Sequence, residues 1–146
     1  MKPGKKCAVA ITGAAVIGCT AYPVRAQSVG MPQRVFACSL GKKSVSVTAV
    51  GNQLIYKFGT PTNTEMSIIG SAGQRDVLYR AERYASMKYQ LRFVSGQYSY
   101  IIYNMGGNST TGAASVSGLT VKKGNKVINE MSCRHYTEFS TGFDFE

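Results

Sequence analysis

From Met87 to Phe93 an apolar side chain stands at every second position, with Met87, Tyr89, Leu91 and Phe93 separated by Lys88, Gln90 and Arg92. A period of two is the mark of a strand that buries one face. The same alternation recurs in short runs along the chain. In Ser44–Val50, Val45 and Val47 alternate with Ser44, Ser46 and Thr48. Gly51-Asn52 then leads into Gln53–Phe58, where Leu54, Tyr56 and Phe58 oppose Ile55 and Lys57, so the two runs read as a hairpin. Tyr98, Tyr100 and Ile102 follow the Ser95-Gly96 turn, and Ser115–Val121 faces Lys126–Cys133 across Lys122 to Asn125. Arg34–Ser39 and Glu65–Ile69 supply two further strands.

Asp76–Ser86 is compatible with two periods. Leu78, Ala81 and Ala85 sit at near-helical spacing, whereas Tyr79, Ala81 and Arg83 alternate, and the strand reading is preferred. Gly59–Thr64 and Met105–Gly112 are loops by their Gly, Pro, Asn, Ser and Thr content. About eight short strands with frequent turns predict an all-β fold, a small antiparallel β-barrel or sandwich. One domain over 27–135 accommodates them, and residues 136–146 are expected as a loose tail.

The N-terminus carries a different signal. Lys2, Lys5 and Lys6 precede an uncharged run from Cys7 to Gly18 that is mostly Ala, Val and Ile. Such a run is shorter than the ~20 residues a bilayer-spanning helix needs, and Pro23 blocks its extension. Residues 1–26 therefore read as a signal peptide, cleaved after Ala26 in Val24-Arg25-Ala26. A second reading stands beside it: Val16-Ile17-Gly18-Cys19 resembles a lipobox, which would make Cys19 a lipidation site and tether the domain to a membrane. Both readings place the domain outside the cytoplasm, periplasmic or secreted in the first case and lipid-anchored in the envelope in the second.

Export changes how charge and cysteines are read. The whole chain holds 17 Lys and Arg against 7 Asp and Glu. Without Lys2, Lys5, Lys6 and Arg25 the domain keeps 13 basic residues against the same 7 acids, a net charge of +6. Anionic envelope components, such as lipopolysaccharide, anionic lipid head groups, peptidoglycan carboxylates or acidic proteins, fit that balance, and nucleic acid is not expected there. Cys7 and Cys19 belong to the leader, which leaves Cys38 and Cys133 as the pair within the domain. In an oxidising compartment these two are expected to form a disulfide closing nearly the whole fold.

No catalytic pattern accompanies the strands. His135 is the single histidine, Glu65, Asp76, Glu82 and Glu130 are dispersed, and neither a nucleophile elbow nor a metal-ligand spacing is written in the chain. The sequence thus points away from an enzyme and asks for no cofactor or metal. If Tyr98 and Tyr100 face the core, the opposite side of that hairpin presents Lys88, Arg92, Ser99 and Tyr103, a basic face for an anionic glycan or lipid.

Several elements carry a resemblance. Phe36-Ala37-Cys38, Gly41 to Val47, Leu54 to Gly59, Leu91-Arg92-Phe93, Gly96 to Tyr100 and Cys133 together resemble a group of small exported bacterial proteins of unknown role. More remotely, the early and late cysteines and a Ser-Gly loop are similar to the membrane-bound and periplasmic inhibitors of c-type lysozyme. That likeness implies a loop serine and a lysine entering an enzyme cleft, and Ser95, Gly96 and Lys123 hold the matching positions. The tyrosine after the Ser-Gly pair is displaced by one position, and no Trp precedes Lys123-Gly124. The resemblance implies a proteinaceous inhibitor or immunity-type protein against a cell-wall-degrading enzyme. A +6 domain would be repelled by a strongly cationic lysozyme, so its charge favours a less basic target.

Overall fold

The computed structural model describes residues 30–83 and 85–140; the expected signal peptide, its cleavage after Ala26 and the lipobox at Cys19 lie outside them. Ten strands form two antiparallel sheets, and no helix occurs among the described residues. The first sheet has the order β10-β1-β2-β3-β4, where β1 is Gln33–Ser39, β2 Ser44–Val50, β3 Gln53–Thr60, β4 Asn63–Ser71 and β10 His135–Thr137. The second runs in chain order through β5 Val77–Arg83, β6 Met87–Ser95, β7 Tyr98–Met105, β8 Val116–Lys123 and β9 Lys126–Ser132. The sheets do not close on each other, so of the two architectures expected the fold is the sandwich. The Asp76–Ser86 segment supplies β5, as the alternating reading required.

Local chemistry explains the meander. Gly51-Asn52, Gly96-Gln97 and Gly124-Asn125 each form a two-residue hairpin link, and each glycine has a φ between 56° and 59°. A positive-φ glycine at the first central position matches the twist of the flanking strands without splaying them. Between turns, alternation places one face inward. Val45, Val47, Leu54, Tyr56, Leu91, Phe93, Ile102 and Leu119 are all at most 1% exposed. Tyr56 of the first sheet meets Phe93 and Tyr100 of the second at ring-centroid distances of 5.3 and 5.6 Å. Burying each such side chain contributes about 1.5–3 kcal/mol, which is what holds the sheets face to face.

Two departures from strict alternation matter. Register shifts between Arg34 and Phe36, so that the consecutive Val35 and Phe36 are both buried. The chain past His135, expected as a loose tail, is held against β1 as far as Ser140. Thr137 pairs with Ala37, Phe139 packs on Phe36 at 5.0 Å between ring centroids, and the Ser140 amide donates to the Val35 carbonyl. The expected disulfide is present: Cys38 of β1 is bonded to Cys133, just after β9, with the Cα atoms 5.5 Å apart. It links the two sheets where the chain leaves the second and returns to the first.

Candidate functional site

The residues singled out from sequence for partner binding divide into two places, both on the second sheet. The first is the rim of the hairpins. Ser95 and Gly96 are exposed at the β6–β7 turn, and Lys123 is exposed at the end of β8. Their proximity follows from pairing, because Tyr98 lies opposite both Ser95 and Lys123 in adjacent ladders. A hydrogen bond of 2.8 Å from the Gly124 amide to the Gln97 carbonyl locks the two turns together. Lys123 holds its ammonium 5.7 Å from the centre of the Tyr98 ring, which restrains the charge near the turn. The rim therefore presents a hydroxyl, a cation held over the Tyr98 ring and two glycine turns side by side.

The second place is the outer face of the sheet. Register aligns Arg80 with Gln90, Leu78 with Arg92, Arg92 with Ile101 and Ser99 with Lys122. Leu78, Arg80, Gln90, Arg92, Ile101 and Lys122 line a groove of about 420 Å³ there. Arg92 donates from Nε and Nη2 to the Ser99 hydroxyl at 3.0 and 2.8 Å. Ser99 was expected on the exposed face; it does point to that side, but it is only 3% exposed beneath the guanidinium. Long side chains on a sheet lie over their short neighbours, and parity alone does not show this.

Lys88 and Tyr103 lie on the same outer face. Tyr103 is half-buried because it lies flat across Gly118, its register partner on β8. A Cβ at Gly118 would collide with the Tyr103 hydroxyl, so the glycine is what admits the ring. Burial, and next the nearby Glu130 charge, push the Tyr103 phenol above its usual range, partly offset by a hydrogen bond with Ser132. Lys88 places its ammonium 5.7 Å from the Tyr103 ring centre. Tyr103 is thereby fixed as a packed side chain of the sheet.

Arg80 and Lys122 are site residues that the sequence reading missed. Arg80 falls in the segment of ambiguous period; once Val77 is placed inward, parity alone puts Leu78 and Arg80 beside Gln90 and Arg92. Arg80 forms an ion pair with Glu82 on its own strand. His135 pairs with Ser39 at the edge of the first sheet, apart from the Ser95 rim of the second. Among the described residues no three His, Cys, Asp or Glu side chains gather as metal ligands. Compared with protein-family models, curated proteins and solved structures, the chain matches none.

Proposed function

We propose that this chain is an exported, non-catalytic protein that blocks a cell-wall-degrading enzyme by seating the Ser95-Gly96 and Lys123-Gly124 turns in the enzyme's cleft. The observation that carries the reading is the 2.8 Å hydrogen bond joining the turns, Gly124 amide to Gln97 carbonyl, which makes them one projecting unit. Enzymes that cleave glycosidic bonds work with a pair of carboxyl groups about 5–9.5 Å apart. An ammonium and a hydroxyl offered from one rigid rim are suitable donors for such a pair. The motif resemblance to lysozyme inhibitors read from the sequence points to the same residues, and the +6 charge of the domain directs it to a target less basic than those lysozymes.

Inhibition of a panel of muramidases and other peptidoglycan hydrolases, acidic and basic, tests the proposal directly. The domain is expected to inhibit at least one acidic member, with Ser95→Ala and Lys123→Ala each weakening inhibition about tenfold or more. Absence of inhibition and of complex formation across the panel would refute it. N-terminal analysis of the exported chain tests the compartment: Gln27 or a lipidated Cys19 is the expected start, and retention of Met1 in the cytoplasm is the contrary result.

A further inference from the structure

The groove on the outer face of the second sheet has no part in the rim proposed above, and its chemistry stands on its own. Neither Arg92 nor Lys122 takes part in an ion pair among the described residues; the acids that do are Glu65, with Lys43, and Glu82, with Arg80. Arg92 and Lys122 flank the same residue, because Ser99 accepts from Arg92 and is the register partner of Lys122. Both cations line the same groove, so an anion seated there can be matched by the two together.

The guanidinium is also oriented. Nε and Nη2 are both spent on the Ser99 hydroxyl, which leaves Nη1 and the outer hydrogen of Nη2 as an end-on pair of donors. Such a pair matches two oxygens of an oxyanion, and a single carboxylate would leave the Lys122 charge unmatched. A phosphate monoester, carrying a charge of about −1.5 to −2 at neutral pH, satisfies both cations. The rest of the groove fixes what the phosphate is attached to. Leu78 and Ile101 supply an apolar wall, Gln90 an amide that both donates and accepts, and the volume of about 420 Å³ lies within the range of small-ligand sites. An apolar wall beside one amide suits a body with both C–H faces and hydroxyls.

We infer that this groove binds a phosphorylated sugar, with its phosphate between Arg92 and Lys122 and its ring over Leu78 and Ile101. Ser99 acts as a positioning residue that holds Arg92 in register. The phosphorylated sugar can reach the site free in solution or as the head group of a glycolipid.

Titration of the 15N-labelled mature domain with glucose 1-phosphate, glucose and inorganic phosphate tests the inference. Saturable shifts at Arg92, Ile101 and Lys122 are expected with glucose 1-phosphate, weaker ones with phosphate, and none with glucose. Arg92→Gln and Lys122→Gln should each weaken binding about tenfold or more, the loss of a charge-assisted contact. Ser99→Ala should weaken it less, with a broadened Arg92 side-chain resonance, and Ser99→Thr should restore it. Flotation with phosphatidylcholine vesicles, with and without a phosphorylated glycolipid, separates the sources: co-flotation dependent on the glycolipid assigns the head group, and binding of the soluble ligand alone assigns the free sugar phosphate. The inference is overturned if none of the phosphorylated ligands binds, or if Arg92→Gln binds like the parent while its near-ultraviolet circular dichroism shows an intact fold.

Discussion

Replacing both Cys38 and Cys133 by alanine isolates the contribution of the disulfide. The bond spans 95 positions of sequence. Applied to a loop of that length, the chain-entropy model gives about 4.7 kcal/mol, the freedom that the oxidised unfolded chain lacks. The folded side of the balance changes less. β10 still pairs with β1 through three residue pairs, Arg134 still donates to the Ser39 carbonyl, and Phe139 still covers Phe36. The missing sulfur at Cys38, which is 3% exposed, removes only a small buried volume. With a urea slope of about 1.5 kcal/mol/M, the midpoint should fall by about 3 M, a loss of about a third or more of the 5–15 kcal/mol that stabilises a typical domain. Equilibrium urea denaturation of the oxidised parent and the double alanine variant, followed by tyrosine fluorescence and far-ultraviolet circular dichroism, measures the difference. A loss under about 1 kcal/mol would refute the reasoning, because the two ends of the chain would then be held together by packing alone.

Three further outcomes follow from packing and protonation. Gly118→Ala should destabilise by about 1–3 kcal/mol, since its methyl meets the Met131 carbonyl at 2.5 Å and Cζ of the Tyr103 ring at 2.6 Å, and thermal unfolding checks it. Asn104 and Ser117, 5% and 3% exposed, share a 2.8 Å hydrogen bond in the core. Asn104→Leu alone should lose about 1–3 kcal/mol, whereas pairing it with Ser117→Ala should recover part of that loss, as a double-mutant cycle in urea will show. Burial, followed by neighbouring tyrosines at Tyr56, Tyr79 and Tyr100 and by Glu130 at Tyr103, raises all four phenols above their usual value. A raised phenol favours the folded state fully below the unfolded pKa of about 10 and loses that stabilisation as pH rises through the folded value. Stability should therefore decline above about pH 10, less steeply in Tyr56→Phe, as urea midpoints between pH 8 and 11 will report.

Much of the sheet structure is legible in the sequence because the central strands β2, β3, β6, β7 and β8 each have one covered face. Leu91 and Phe93, or Val45 and Val47, declare both strand and face at once, and the glycine turns give the hairpins. What escapes has physical causes. β10 has three residues, and its partner β1 lies about a hundred positions away, so no local pattern announces it. Val35 and Phe36 break the period because a bulge re-aims one of them. On the outer face, parity puts Arg92 and Ser99 on one side correctly, but that the guanidinium folds down over the hydroxyl depends on geometry. The neighbourhood of the Ser95 and Lys123 turns is likewise a matter of register, set by the lengths of β7 and β8.

The pairing of β1 with β10 also decides how the molecule carries a load. The two strands are antiparallel neighbours, so a pull on the two ends of the chain unzips them from the Ala37–Thr137 end toward Ser39 and His135. The Cys38–Cys133 bond arrests that zipper almost at once. Only Gln33–Ala37 and Arg134–Ser140 can straighten, roughly a dozen residues or about 40 Å of slack, before tension passes through a covalent bond. Every strand from β2 to β9 lies inside the closed loop and bears none of the force. In a reducing solvent the same pull would reach all of them and draw Gln33–Ser140 out to about 370 Å.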